Sequence, residues 1–247
     1  MDLREQGDGA HRRHPWELAR AGFFRALVTD HVELGTVARV LDVGAGDGWF
    51  AHELRTELAP TASIVCWDVN YRSEDLATPA GQGLTRTAGP LTGTFDVVTA
   101  LDVLEHIEDA EAFLAEGVVP RLAERGTAVF SVPAHQTLFS DHDRMLVHHR
   151  RYAPGAFRAL IGRHLHVVDH GPLFTSLLLP RLVAVGAERL GRHRPQTGIG
   201  TWSGGPVTTR AVTAMLDADA RLGRALGRRG VHLPGLSTWV VATTMSR

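Results

Sequence analysis

The chain has 247 residues and not one lysine; all 26 of its Lys/Arg positions are arginine. Schiff-base chemistry, pyridoxal phosphate anchoring, the phosphate-binding P-loop and the kinase fold all use a lysine amine, so each is excluded. Cysteine is almost absent. Cys66 stands alone, which leaves no internal disulfide, no thiolate zinc site and no iron–sulfur cluster. A lone thiol suits a reducing compartment. No sign of charge dominates: 26 basic residues face 27 acidic ones, for a net charge of −1. A dedicated nucleic-acid binder usually shows its basic face in that total, so no nucleic-acid partner is expected. Long hydrophobic runs are missing as well. The longest, Leu173–Val185, contains Pro180 and Arg181 and is too short to span a bilayer. The polar opening MDLREQGDGAHRRH does not read as a signal peptide, and the expected location is the cytoplasm.

What is present reads as one α/β domain over residues 14–247, preceded by a charged, aperiodic tail at 1–13 that is expected to be disordered. His14-Pro15-Trp16 opens a helix with Pro at its favoured first position. Trp16, Ala19, Phe23 and Leu27 recur at helical spacing, with Phe24 and Val28 widening the stripe into a core or lid helix. Apolar runs predict strands at Ala38–Val43, Ser63–Trp67, Phe95–Ala100, Thr127–Val132, His166–Asp169 and Leu236–Met245, with a poor strand at Leu84–Thr87. Helices are predicted at Trp49–Leu58, Ser73–Ala77, Pro154–His164, 173–190 and 207–229. Another, at Glu108–Glu124, contains Gly117 and Pro120 and is expected to be broken. Strands alternating with helices imply a mostly parallel sheet covered on both faces.

The strongest motif is Val40-Leu41-Asp42-Val43-Gly44-Ala45-Gly46-Asp47-Gly48. A strand enters, three glycines turn the chain, and a helix leaves with unpaired amides at its start. Asp42 sits inside the strand, an expensive place for a carboxylate unless something pairs with it. Asp68 ends the next strand, where a carboxylate can accept hydrogen bonds from both hydroxyls of a ribose. A dinucleotide fold wants G-x-G-x-x-G. Here the spacing is G-x-G-x-G, and Trp49 fills the third dinucleotide glycine position. That favours a nucleoside ligand without a pyrophosphate.

Three segments together resemble the class I S-adenosylmethionine (SAM)-dependent methyltransferases of small-molecule type: VLDVGAGDG, CWDVN with Asp68, and FDVVTALDVLEHIED at 95–109. The resemblance covers about residues 38–170. It implies a Rossmann-like, doubly wound, mostly parallel seven-stranded sheet with an antiparallel last strand, and SAM as cofactor. By the same resemblance Asp42 orients the methionine amino group. Gly44, Ala45 and Gly46 pack against the methionine and ribose. Asp68 binds the ribose hydroxyls, Val69 presses on the adenine, and Leu101 and Asp102 line the cofactor. One departure stands out. The acid that the family often carries after its third strand is missing from Thr85-Arg86-Thr87-Ala88-Gly89, so either a backbone contact serves the adenine amine or adenine binding is weaker.

The acceptor side is read from the insertion 133–152, which holds four of the 14 histidines, two aspartates and three arginines. Such density of titratable groups in one loop suggests chemistry. Pro133, His142-Asp143 and His148 to Tyr152 also resemble a pattern found in a subset of these methyltransferases. His142 or His148 is the expected general base, with Asp143 orienting it. In the competing reading, Asp143 and Arg150 or Arg151 pin the loop through an ion pair while the histidines sit in solvent. His135, His142, Asp143 and His148 show no metal-ligand spacing, and no metal is expected. His106 is expected to pack beneath the cofactor loop, and Glu105 to cap or pair locally.

Residues 173–230 read as a helical insertion near the C-terminus. Packing on its own domain is the default for such helices. Leu177-Leu178-Leu179-Pro180 could instead line an acceptor pocket or form a dimer face. Beside Arg181, Arg189, Arg192 and Arg194, the same face offers a peripheral membrane contact. The leading expectation is methyl transfer to a small-molecule or lipid-like acceptor. The alternatives are a SAM-binding cyclase or isomerase that leaves the methyl in place, and a non-catalytic methyltransferase-like partner protein.

Overall fold

The computed structural model describes residues 13–191 and 202–245. The expected tail, apart from Arg13, and the first half of the Gly-rich stretch 198–205 lie outside the described residues. Seven strands form one sheet: β1 (Arg39–Val43), β2 (Ser63–Trp67), β3 (Leu84–Thr87), β4 (Phe95–Leu101), β5 (Leu122–Pro133), β6 (His166–Leu173) and β7 (Ser237–Thr243). Their order is β3-β2-β1-β4-β5-β7-β6. β1 to β5 pair in parallel, and β7 runs antiparallel between β5 and β6. The sheet expected from the sequence is therefore present. Its strand order reverses between β1 and β4, the position where open α/β sheets leave a crevice at their carboxyl ends.

Successive strand residues point to opposite faces, and both faces are apolar. Val40, Ile64, Val97 and Val241 meet α1 (Pro15–His31), α2 (Trp49–Arg55) and α8 (Pro206–Gly227) through Phe24, Leu27, Leu54 and Leu216. Their neighbours Leu41, Val98, Phe130 and Val240 meet Leu114, Phe157 and Ile161 on the other side. Phe157 and Ile161 belong to α6 (Pro154–Gly162). Helix α1 starts as its sequence predicts. His14 Nδ1 accepts the Trp16 amide at 3.1 Å, and Glu17 accepts the His14 amide at 2.9 Å. Two free backbone donors are thereby satisfied.

The break expected within Glu108–Glu124 is present, and two strand boundaries differ from expectation. The helix expected at Glu108–Glu124 is short and irregular. It opens at α4 (Ala110–Ala112), widens into a π-helical turn at Phe113–Val118 and tightens into a 3-10 turn at Val119–Arg121. Pro120 lacks the amide a regular helix would use there, and Gly117 disfavours the helical backbone. β5 then starts at Leu122 rather than Thr127, because Leu122 pairs with Phe95 across a bulge. β6 continues to Leu173, where the sequence suggested a helix. Gly171 and Pro172 look like breakers, but β6 is an edge strand, where Pro is tolerated. Gly171 also lies beneath the Trp239 indole, where a Cβ would approach to 2.7 Å. The remaining helices are α3 (Ser73–Ala77), α5 (Asp141–Met145) and α7 (Leu178–Arg189). α8 packs on α1 and β6, whereas α7 leaves Leu179, Leu182 and Val183 exposed. No described helix is long and apolar enough to cross a membrane.

Candidate active site

The glycine loop follows β1 with Gly44, Gly46 and Gly48 at φ of +63°, +54° and +77°, the left-handed region that favours glycine. The Gly44 and Ala45 amides donate to the Trp67 carbonyl at 2.7 and 3.2 Å. The Gly46 amide donates to Asp68 Oδ2 at 3.0 Å. Asn70 donates to the other carboxylate oxygen from its amide and its side chain, at 2.9 and 3.1 Å. Asp68 thus clamps the loop to the end of β2. The chain leaving β4 closes from the other side: a Cβ on Gly44 would lie 2.6 Å from Val103 Cγ2.

Asp42 sits opposite Thr99 in the β1–β4 register, and the Thr99 hydroxyl donates to it at 2.6 Å. Burial pushes its carboxyl up to about 6, partly opposed by that hydrogen bond and by the charge of Arg20. Arg20 itself ion-pairs with Asp102 at 2.8 Å, and Ser131 donates to Asp102 at 2.9 Å. Asp102 has φ of +58°, a conformation that aspartate tolerates better than most residues. These contacts fasten α1 to the ends of β4 and β5.

Within the insertion 133–152 Asp143 is fully buried and four residues converge on it. Arg151 donates at 2.7 Å, Arg181 of α7 at 2.8 Å, the Ser140 amide at 3.0 Å and His148 Nδ1 at 3.1 Å. Burial opposes ionisation. The His148 hydrogen bond and the Arg151 and Arg181 guanidiniums outweigh it and hold the carboxyl well below the usual range. Arg151 does pin Asp143, while Arg150 turns away to the Glu108 carbonyl at 2.7 Å. His148 is not in solvent but held by Asp143. Val147, at φ of +61°, turns the chain that brings it there, a conformation costing on the order of 1–3 kcal/mol in a β-branched residue.

These parts meet around one cavity of about 570 Å³, a size typical of small-ligand sites. Asp42, Gly44, Ala45, Asp68, Val69, Leu101 and Asp102 line it, as do His142 and His148. Gly46 and Asp143 are not in its wall; each holds a residue that is. His135, one of the weighed metal candidates, is not in the wall either. Leu177 to Pro180 do not reach it, contrary to the pocket reading of α7, which contributes Arg181 instead. Two further residues line the cavity, and one of them differs from expectation. His106 faces the cavity, edge-on to His148 with ring centroids 4.6 Å apart. Glu105 neither caps nor pairs: it is fully buried, and neither carboxylate oxygen has a hydrogen-bond partner. Burial first, and the charge of Asp102 second, raise its carboxyl well above the ordinary range. Arg20 and Arg181 were not singled out as site residues. For Arg20 a signal existed, since it lies one helical turn from Trp16 on the same face.

A nucleoside-sized crevice at the switch point, with a glycine loop clamped by an acid on the next strand, defines a class I methyltransferase fold. The chain belongs to the methyltransferase-domain family, which residues 12–179 match, and the cofactor of this class is SAM. No curated protein matches the chain significantly. Among solved structures it is similar to the [4+2]-cyclase SpnF, at 15% identity over 96% of this chain and 88% of that one, with a TM-score of 0.57. It is also similar to a candidate sarcosine dimethylglycine methyltransferase from Galdieria sulphuraria, at 17% identity, covering 94% and 86%, with a TM-score of 0.55. The plantazolicin methyltransferase BpumL, solved with a monoazolic desmethylPZN analogue and SAH, shares 11% identity over 93% and 84%, with a TM-score of 0.54.

Proposed function

We propose that the protein transfers a methyl group from SAM to a small-molecule or lipid-like acceptor in the cytoplasm. The observation that carries this reading is that Asp42, Gly44, Ala45 and Asp68 line the same cavity as His142 and His148. The donor set fits the cofactor: two carboxylates suit an ammonium and a diol, and Trp67, Val69 and Phe113 give apolar walls for a base. When bound, SAM supplies an electrophilic methyl group on a sulfonium. Asp42 holds the methionine ammonium, whose charge favours the ionised carboxylate. Gly44, Ala45 and Gly46 let the backbone approach the methionine and ribose. Asp68 accepts from the ribose hydroxyls, Val69 covers the adenine, and Leu101 and Asp102 border the reacting end. Most of the rate then comes from holding the acceptor in line with the methyl. Where the acceptor must lose a proton, His142 or His148 takes it, the latter oriented by Asp143.

The same fold also carries a cyclase, which supports a second reading in which SAM is bound but not consumed. Calorimetric titration with SAM and S-adenosylhomocysteine tests the cofactor assignment. Micromolar binding of both, weakened at least tenfold in Asp68→Ala, is expected; affinity unchanged in that variant would overturn the ribose role. Recovery of unaltered SAM after turnover of an acceptor would select the second reading. Replacing His142 and His148 separately should lower turnover more than SAM affinity; if neither does, the insertion is structural.

A further inference from the structure

We propose that Glu105, His106 and His148 form a binding site for a first-row divalent metal ion, open towards the cavity. One donor atom from each residue lies within 4.8 Å of the other two. Ligand atoms about 2.0–2.2 Å from a shared ion lie roughly 3–4 Å apart, so modest side-chain adjustments close the set. The second observation is Glu105 itself, a wholly buried carboxylate that faces the cavity with both oxygens unpartnered. Such a group needs a compensating cation or proton. The nearby guanidiniums are already committed, Arg20 to Asp102 and Arg151 and Arg181 to Asp143.

The surroundings are organised as a metal ligand requires. Asp143 holds His148 through Nδ1, which orients the ring and leaves Nε2 for an ion. A carboxylate behind a ligating imidazole is the usual support for such a ligand. The two segments that supply the donors are tied together. The His149 amide donates to the Glu105 carbonyl at 2.8 Å, and the Tyr152 hydroxyl donates to the Leu104 carbonyl at 3.1 Å. Two imidazoles and one carboxylate select Zn²⁺, Fe²⁺, Mn²⁺, Co²⁺ or Ni²⁺ over Mg²⁺ or Ca²⁺. Three protein ligands leave positions for a small molecule, as catalytic rather than structural sites do.

Resting on the methyl-transfer reading, this site assigns the acceptor class: a molecule with a hydroxyl or paired oxygens that bind the ion. Coordination lowers the pKa of that O–H. Its proton passes to His142, the oxygen's electron pair forms the bond to the methyl carbon, and the C–S bond breaks with its pair returning to sulfur. In this arrangement His148 is a ligand, and the base is His142.

The test uses the full, untagged chain stripped with a chelator and titrated with Co²⁺ and Zn²⁺. Saturable one-to-one binding is expected, with visible Co²⁺ absorption bands. Glu105→Gln and His148→Gln should each weaken it at least about tenfold, while SAM affinity stays within about threefold. Absence of saturable Co²⁺ or Zn²⁺ binding by the wild-type chain overturns the site. So does binding that neither substitution weakens, which would belong to other histidines. Circular dichroism checks the fold of each variant, and if one fails to fold the other decides. Metal binding is read without SAM, so a failure of the cofactor assignment is scored separately.

Discussion

Asp42→Asn separates stability from cofactor binding. The folded chain lifts this carboxyl from 3.8 to about 6. At roughly 1.4 kcal/mol per pH unit, that amounts to about 3 kcal/mol between the two protonation states. Below pH 3.8 the folded and unfolded chains both hold the proton, and the site costs nothing. Between pH 3.8 and about 6 the folded chain holds it more tightly, so stability falls as pH rises, and the penalty is complete above about 6. Asparagine carries no charge and can still accept from the Thr99 hydroxyl. The variant should match wild type near pH 4 and exceed it by up to about 3 kcal/mol at pH 8. Urea denaturation of the cofactor-free protein across pH 4–8 reads this directly. SAM affinity should move the opposite way, falling at least tenfold at pH 7.5. A stability gap that does not change with pH would refute both the raised pKa and the argument from burial.

Asp143→Ala removes the acceptor for Arg151, Arg181 and His148 at once and leaves buried guanidiniums without a counter-charge. A loss of about 3–5 kcal/mol is expected in chemical denaturation, and a loss under 1 kcal/mol would show that the cluster is strongly hydrated. In wild type the stabilisation from Asp143 is complete above pH 3.8. It is lost as acid carries the group towards its depressed folded value, so the gap to Asp143→Ala should narrow on acidification. Gly44→Ala forces a Cβ to within 2.6 Å of Val103 at a positive φ. It should lower the midpoint of thermal unfolding by several degrees, a cost of at least 1–2 kcal/mol. An unchanged midpoint would mean that the loop relaxes freely.

Local pattern carried most of this fold. Short apolar runs ended by glycine or an acid placed the strands, because a strand buried on both faces is written as a near-continuous apolar segment. Where local and long-range terms disagreed, the sequence misled. Gly171 and Pro172 looked like breakers, yet pairing with β7 and the overlying Trp239 hold them in β6. Leu122 to Gly126 carry no strand pattern, and their pairing depends on a bulge. The part of the cavity wall proposed for the cofactor was legible as a cluster because its residues sit at the ends of neighbouring strands. The wall proposed for the acceptor was only half legible. The wealth of histidine marked the insertion, but nothing local joins Asp143 to Arg181 or leaves Glu105 without a partner. Those facts follow from how distant segments pack.

The grip of Arg181 on Asp143 divides the cavity by chain segment. Apart from Phe113, the residues proposed to hold SAM fall between Asp42 and Asp102, whereas the rest of the lining draws mainly on Glu105 to Arg181, with α1 and the start of β7 completing it. The second stretch can accumulate substitutions, or be exchanged for another insertion, while the first keeps its glycine loop and acids. A graft intended to change the acceptor must carry α7 along with residues 133–152. Without Arg181 the transplanted loop would bring a buried aspartate that lacks one of its two cations.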